Sequence, residues 1–215
     1  MMELKFLEIQ EFKKLKEQGL TVLDIRSPRQ FAEGLVPGSI NIARNELFGK
    51  LMRRLLLEDQ ALLIVAEPGS EEVLFKELQT LGFEEVKGFL KGGFEAWQAA
   101  GEPIDVVIAT DTEELLIDRR FGQPVILDLR PENEFQGEHL AGSRNISLEE
   151  MLQEVDDYAS NKTYYVLSRP SSEAMTAISY LKLEGKHNFY YLNEGFEALK
   201  DAGADMVMPG KKKPG

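Results

Sequence analysis

Asp24 and Arg26 stand two residues apart at the end of an apolar run, TVLDI, and Asp128 and Arg130 repeat that spacing after VILDL. A charged pair at a strand end suits either chemistry in a pocket or a structural role. The structural role is expected: the aspartate orders the turn and the arginine pairs with a nearby carboxylate. Histidine is the side chain best matched to proton transfer near neutral pH, and the chain has two, His139 and His187. Their separation fits no zinc spacing, which leaves carboxylates as the open route to a metal; neither a metal nor a cofactor is expected. His187, between a helical stretch and NFYYL, reads as a surface or turn residue. Gly92-Gly93 lacks the other glycines, the lysine-serine pair and the distal acid of a nucleotide loop. The 215 residues include no cysteine. Disulfides, thiolate metal ligands, persulfide carriage and thiol nucleophiles are therefore excluded together.

Charge narrows the partners. The formal charge is −12, and apart from Lys211 to Lys213 the basic residues are scattered, so the chain repels a polyanionic backbone and no nucleic-acid partner is expected. No apolar run approaches the roughly 20 residues that cross a bilayer, so no membrane association is expected. The opening MMELKFLEIQEFKKLKEQG places Glu3 and Glu8 where a secretory signal needs an uninterrupted apolar stretch. A cytoplasmic location is the default expectation.

The charged pairs sit inside a repeat. VLDIRSPRQFAEGLVPGSINI, Val22 to Ile42, returns 104 residues later as ILDLRPENEFQGEHLAGSRNI, Ile126 to Ile146. Asp24 aligns with Asp128, Arg26 with Arg130, Phe31 with Phe135, Gly38 with Gly142 and Asn41 with Asn145. GGFEAWQAAG, Gly92 to Gly101, returns 102 residues later as EGFEALKDAG, Glu194 to Gly203. Two ordered matches at nearly one spacing indicate duplication of a whole domain rather than a solenoid of small repeats.

Each copy alternates short apolar or β-branched runs with helical patterns. The first has TVLDI, ALLIVA and FEEVKGFL with helices EEVLFKELQTLG and GFEAWQAAG. The second has PVILDL, TYYVLS and NFYYLN with EAMTAISYLKLEG and GFEALKDAG. This alternation predicts an α/β chain of two domains, each a mainly parallel sheet covered by helices on both faces. Ser27 followed by Pro28, and Ser147 followed by Glu150, predict capped helix starts. GEP interrupts the pattern near Gly101 to Ile108, which places the domains at residues 1–104 and 105–208, with a flexible basic tail at 209–215. Phe94, Trp97 and Phe196 are expected in the cores, and Gly38, Gly92, Gly93, Gly142 and Gly195 at turns or close contacts. The acidic stretches Glu132 to Glu138 and Glu149 to Asp157 read as solvated faces, with recognition of a basic partner as the alternative.

In order, spacing and duplication these motifs resemble the rhodanese-like superfamily in tandem, over essentially the whole chain. In that family an LDxR strand end leads through a short helix and a GHIPGAxNI turn to a strand ending in the catalytic cysteine. The cysteine opens a six-residue loop, and a GGFxxWxxAG helix closes the domain. This chain has LDIR (Leu23 to Arg26), GLVPGSINI (Gly34 to Ile42) and GGFEAWQAAG, then LDLR (Leu127 to Arg130), EHLAGSRNI (Glu138 to Ile146) and EGFEALKDAG. The resemblance implies that Ala66 and Ser168 stand at the two cysteine positions. Sulfur transfer needs a thiolate that attacks the donor and carries the sulfur covalently. A methyl group has no lone pair for this, and a hydroxyl near pH 7 needs a base. Thiosulfate sulfurtransferase activity is therefore not expected.

The family's loop wraps backbone amides around an anion, usually with an arginine at its end. Here Glu71 and Glu173 take the arginine positions, where a carboxylate in the first helical turn suits the helix dipole and competes with a bound anion. Glu67, Gly69, Ser70, Glu71 and Glu72 form a degenerate first loop, and Pro68 and Pro170 each remove an amide donor. The second loop keeps Ser168, Arg169, Ser171 and Ser172 before Glu173 and Ala174, and is the better candidate for a small-anion pocket. Loop, cap and solvent contacts are the expected role of these residues. Hydrolysis at Ser168 would need His139, whose counterpart in the family is more structural than catalytic. No catalytic residues are expected. The reading is a non-catalytic binding, docking or regulatory module associated with sulfur metabolism, with weak anion binding or hydrolysis at the Ser168 loop as the alternative. The resemblance implies a protein partner, such as a sulfur-handling or metallo-β-lactamase-like enzyme.

Overall fold

The computed structural model describes residues 3–169 and 171–208. The chain divides into two compact units, Met1–Val106 and Val107–Gly215; the basic tail expected at 209–215 lies outside the described residues.

The first unit runs β1 (Phe6–Leu7), α1 (Ile9–Glu17), β2 (Thr21–Asp24), α2 (Pro28–Glu33), β3 (Ser39–Asn41), α3 (Phe48–Leu55), β4 (Leu62–Val65), α4 (Glu71–Thr80), β5 (Val86–Leu90) and α5 (Gly93–Ala99). Its five strands lie in the order β1-β5-β4-β2-β3, and every pair is parallel. The central strand β4, LLIV, is buried at all four positions. A strand covered by helices on both faces has no wet side, so it carries a continuous apolar run instead of an alternating one.

The second unit runs β6 (Ala109–Thr110), α6 (Thr112–Phe121), β7 (Val125–Asp128), α7 (Glu132–Gly137), β8 (His139–Leu140), β9 (Arg144–Asn145) and α8 (Leu148–Gln153). A 3-10 turn at Val155–Asp157, β10 (Tyr164–Leu167), α9 (Ser171–Leu183), β11 (Phe189–Leu192), α10 (Gly195–Asp201) and β12 (Met206–Val207) complete it. The sheet order β6-β11-β10-β7-β9 reproduces the first unit strand for strand. β8 and β12 form a separate antiparallel pair, Leu140 opposite Met206 and His139 opposite Val207. Among the described residues the first unit holds a single antiparallel bridge there, Leu35 to Asp105.

Local signals set the helix starts. Ser27 caps α2 and Ser147 caps α8 in reciprocal capping boxes with Gln30 and Glu150, and Pro28 opens α2 where its missing N–H has no helical partner to lose. In the first core Phe12, Phe94 and Trp97 pack with Val22, Leu63 and Val65; in the second Leu115, Phe196 and Leu199 pack with Ile126, Tyr165 and Leu167. Trp97 is 2% exposed and donates its indole N–H to the carbonyl of Pro103 at 2.8 Å. Among the described residues no helix is long and apolar enough to cross a membrane.

Candidate functional site

Parallel strands deliver their carboxyl ends to one edge of the sheet, where loops converge. In each unit the strand following the first helix ends there in a charged clamp. Arg26 lies folded back on Asp24: its Nε and Nη2 donate to the carboxylate at 2.6–3.1 Å, and its backbone N–H donates to Asp24 Oδ1 at 3.0 Å. Nη2 also donates to the carbonyl of Gly34 at 2.8 Å, and the guanidinium lies 4.3 Å from the centre of the Phe94 ring. The Asn41 amide bridges the carbonyls of Asp24 and Arg26, each at 3.0 Å. Burial pushes the Asp24 carboxyl up from its ordinary range, and the hydrogen bonds and charge of Arg26 pull it back.

The second unit repeats the clamp and adds Glu134, whose Oε2 lies 4.0 Å from Arg130 Nη1. Arg130 binds Asp128 at 2.6–3.1 Å, donates to the carbonyl of Glu138 at 3.0 Å and lies 3.3 Å from the Phe196 ring centre. Asn145 bridges the carbonyls of Asp128 and Arg130 at 2.8 Å. Both arginines and both aspartates are buried. The carboxylate each arginine hydrogen-bonds is the aspartate two residues before it, and the clamp ties strand end, turn and closing helix together.

The loop after β4 begins at Ala66, 3% exposed, and passes through Glu67, Pro68 and Gly69 to Ser70. Gly69 takes φ +92°, a left-handed conformation open to glycine. Its N–H donates to Glu71 Oε2 at 2.7 Å, and Glu71 is 8% exposed. The carboxylate at the head of α4 thus turns back into the loop and takes one of its amides. Ser70 closes the turn with its N–H and its hydroxyl on the carbonyl of Glu67, at 3.1 and 2.6 Å. Glu67 in turn accepts from Gln30 Nε2 at 2.8 Å, while Glu72 is exposed. Beside this loop a cleft of about 370 Å³ is lined by Ser27, Arg44, Asn45, Glu67 and Ser70, among others. Arg44 is paired with Glu77 at 2.7 Å. The Gln30–Glu67 and Arg44–Glu77 links join residues more than thirty positions apart, and no local sequence signal marks them.

Gly93, at φ +63°, lies against the first loop: a Cβ there would sit 2.7 Å from the carbonyl oxygen of Ala66. Its repeat partner Gly195 takes φ +73° with open space around it. Gly195→Ala is therefore expected to cost only the left-handed strain of about 1–2 kcal/mol. Gly93→Ala should cost clearly more, because backbone must also move. Chemical denaturation of each variant measures the difference; equal costs would contradict the close approach.

The second loop begins at Ser168, 5% exposed, whose Oγ accepts the N–H of Ala174 at 3.1 Å. Arg169 is half exposed and pairs with Glu197. Although burial opposes it, Lys200 and Arg169 hold the Glu197 carboxyl below its ordinary range. Burial pushes the Tyr191 phenol up from its ordinary value, and the nearby Ser171 opposes that shift. Ser172 is buried and Glu173 half-buried; Pro170 lies outside the described residues. His139 stacks on Phe135 with ring centres 4.0 Å apart, and its Nδ1 meets the carbonyl of Phe135 at 2.8 Å. His187 is exposed. Among the described residues no group of three or more acidic or histidine side chains is placed to hold a metal ion.

Comparison with known proteins places this geometry. The profile of the rhodanese-like domain matches twice, at residues 8–100 and 111–202. The thiosulfate sulfurtransferase GlpE of Ectopseudomonas mendocina (strain ymp) is 34% identical over 100 residues, covering 46% of this chain and 89% of its own length. The uncharacterized protein YqhL of Bacillus subtilis (strain 168) is 32% identical over 72 residues, 34% of this chain; the match spans 57% of YqhL. Among solved structures, a thiosulfate sulfurtransferase from Pseudomonas aeruginosa aligns at TM-score 0.44 and 19% identity over 97% of this chain and 44% of its own. A rhodanese-like domain from an Anabaena protein aligns at TM-score 0.43 and 20% identity over 50% of this chain and 85% of its own. The loops after β4 and β10 carry alanine and serine, and no thiol exists elsewhere in the sequence to replace the missing pair. The chain belongs to the rhodanese-like family, as a tandem of two such domains that lacks the catalytic cysteine in both.

Proposed function

We propose that the chain is a docking or regulatory module whose partner is a sulfur-handling enzyme, a metallo-β-lactamase-like hydrolase being the first to test. One observation carries the reading: the first loop, besides lacking a nucleophile, is taken up by its own Glu71 carboxylate at 2.7 Å from Gly69 N. A negative charge held there opposes entry of thiosulfate, itself an anion, so the loop is adapted to stability over catalysis. Kinship with thiosulfate sulfurtransferases supports a place in sulfur metabolism. The alternative at the second loop has less support, since Ser168 Oγ already accepts an amide, Arg169 is held by Glu197 and the His139 ring is held on Phe135.

Purified chain given thiosulfate and cyanide is expected to form thiocyanate no faster than buffer. Sedimentation of the chain with a purified metallo-β-lactamase-like hydrolase from the same organism is expected to give a saturable complex. Protein-dependent thiocyanate would sink the non-catalytic reading, and independent sedimentation would sink the choice of partner.

A further inference from the structure

The duplication makes each unit a control for the other. In the first strands Phe6 and Leu7 pair with Phe89 and Leu90, and Ala109 and Thr110 pair with Tyr191 and Leu192. This register lays α1 over α6 residue by residue. Glu8 and Asp111 become the equivalent N-caps, and Phe12 and Leu115 the equivalent core contacts, both fully buried. The neighbouring positions differ in kind. Lys13, Lys14 and Gln18 of the first unit correspond to Leu116, Ile117 and Phe121 of the second. In the first unit Lys13 bonds Glu102 at 2.7 Å. In the second, Ile117 is 43% exposed and Phe121 87%.

Leu116 and Ile117 line a groove, and Phe121 follows Ile117 on the same helix outside that lining. Between α6 and α10 an open cavity of about 620 Å³ is lined by Leu116, Ile117, Ala198 and Ala202. Its rim holds four acids, Asp111, Glu113, Glu194 and Asp201, against one base, Arg120. Two acids are held by backbone: Asp111 accepts the N–H of Glu114 at 2.8 Å, and Glu194 that of Thr112 at 2.9 Å. Thr112, 4% exposed, also lines the groove, and its Oγ1 has no hydrogen-bond partner among the described residues.

We propose that this groove docks an amphipathic helix of a partner protein, one with an apolar stripe flanked by lysine or arginine. Ile117 in the groove and the exposed Phe121 beyond its end stand one helical turn apart, the spacing at which a partner helix presents its own stripe. Exposed apolar side chains within an acidic rim favour a segment that covers them and neutralises the rim. The net charge of −12 disfavours a second copy of this chain as occupant. The proposal rests on the docking function above and assigns it a surface and a partner chemistry.

The test is a fluorescence-anisotropy titration of the full chain into a fluorescein-labelled amphipathic helix made of leucine and lysine. Saturable binding is expected, weakened about tenfold or more by Ile117→Ser with Phe121→Ser. Glu113→Lys should also weaken it, while Lys14→Ser with Gln18→Ser on α1 should leave it unchanged. All three α6 substitutions are at exposed positions, and circular dichroism checks that the fold is kept. Affinity indifferent to the α6 changes, or equal affinity for a leucine–glutamate helix, would overturn the proposal. So would a dimer abolished by Ile117→Ser with Phe121→Ser, which assigns the groove to a second copy. Peptide binding seen only after removal of residues 209–215 would overturn it in favour of Lys211 to Lys213 as occupant. A chain that ignores the peptide and also leaves thiosulfate unchanged loses the groove assignment alone; thiosulfate turnover would remove the non-catalytic reading instead.

Discussion

Asp24→Ala is expected to destabilise the first unit by about 3–5 kcal/mol, the cost of removing one partner from a buried ion pair. The cost arises mainly from what remains. Arg26 cannot shed its charge, its side chain is 3% exposed, and without Asp24 it keeps, among the described residues, the carbonyl of Gly34 and the face of Phe94. The backbone N–H of Arg26 loses its acceptor as well. Trp97 is the single tryptophan of the chain and packs in the first core, so its fluorescence reports that unit by itself. The urea midpoint read by Trp97 should fall strongly for Asp24→Ala and stay in place for Asp128→Ala, which breaks the equivalent clamp in the other unit. Combining Asp24→Ala with Arg26→Met should cost less than the two separate losses added together, because the stranded guanidinium is gone. A shift below about 1 kcal/mol for Asp24→Ala would show that the clamp relaxes onto water and is not a fixed part of the core.

The clamp shows where sequence reasoning reaches its limit. Its residues were visible as a repeated DxR, and a structural role followed from their place at a strand end. The arginine's partner was not visible, because it is the aspartate of the same motif, brought into reach by a turn that also depends on Asn41 and Gly34. The central strands were legible for a different reason. Burial on both faces requires a near-continuous apolar run such as LLIV. Edge strands β1 and β6 are two residues long and defined by backbone pairing alone, so they leave no periodicity to read. Capping boxes are local and were legible; the β8–β12 pair joins residues far apart in the chain and was not. The groove was hidden within TEELLIDRRF, whose apolar residues exceed one helical stripe. It emerges only when α6 is laid over α1, where Lys13, Lys14 and Gln18 stand at the positions of Leu116, Ile117 and Phe121.

A thiol can be put back, and the geometry predicts that the thiol alone will fail. Ala66→Cys is expected to form no thiocyanate from thiosulfate and cyanide above buffer, whereas Ala66→Cys with Glu71→Arg is expected to turn over. The reaction needs a thiolate to attack the outer sulfur of thiosulfate, breaking its S–S bond so that sulfite leaves with the electron pair. Cyanide then takes that sulfur from the persulfide as thiocyanate and restores the thiolate. Glu71 acts against both requirements. Its carboxylate already takes the amide of Gly69, and a fixed negative charge by the loop raises a thiol's pKa and repels a dianionic donor. Replacing it with arginine reverses the sign of the local charge and frees that amide. A resulting fall of about 2 units in the thiol's pKa would multiply the thiolate present at neutral pH by up to about a hundred. Titrating thiolate absorbance in both variants separates this effect from misfolding, which Trp97 fluorescence monitors. Equal activity in the single and double variants would refute the role given to Glu71. A double variant with a lowered thiol pKa and no turnover would show that the loop has lost more than its nucleophile and its arginine.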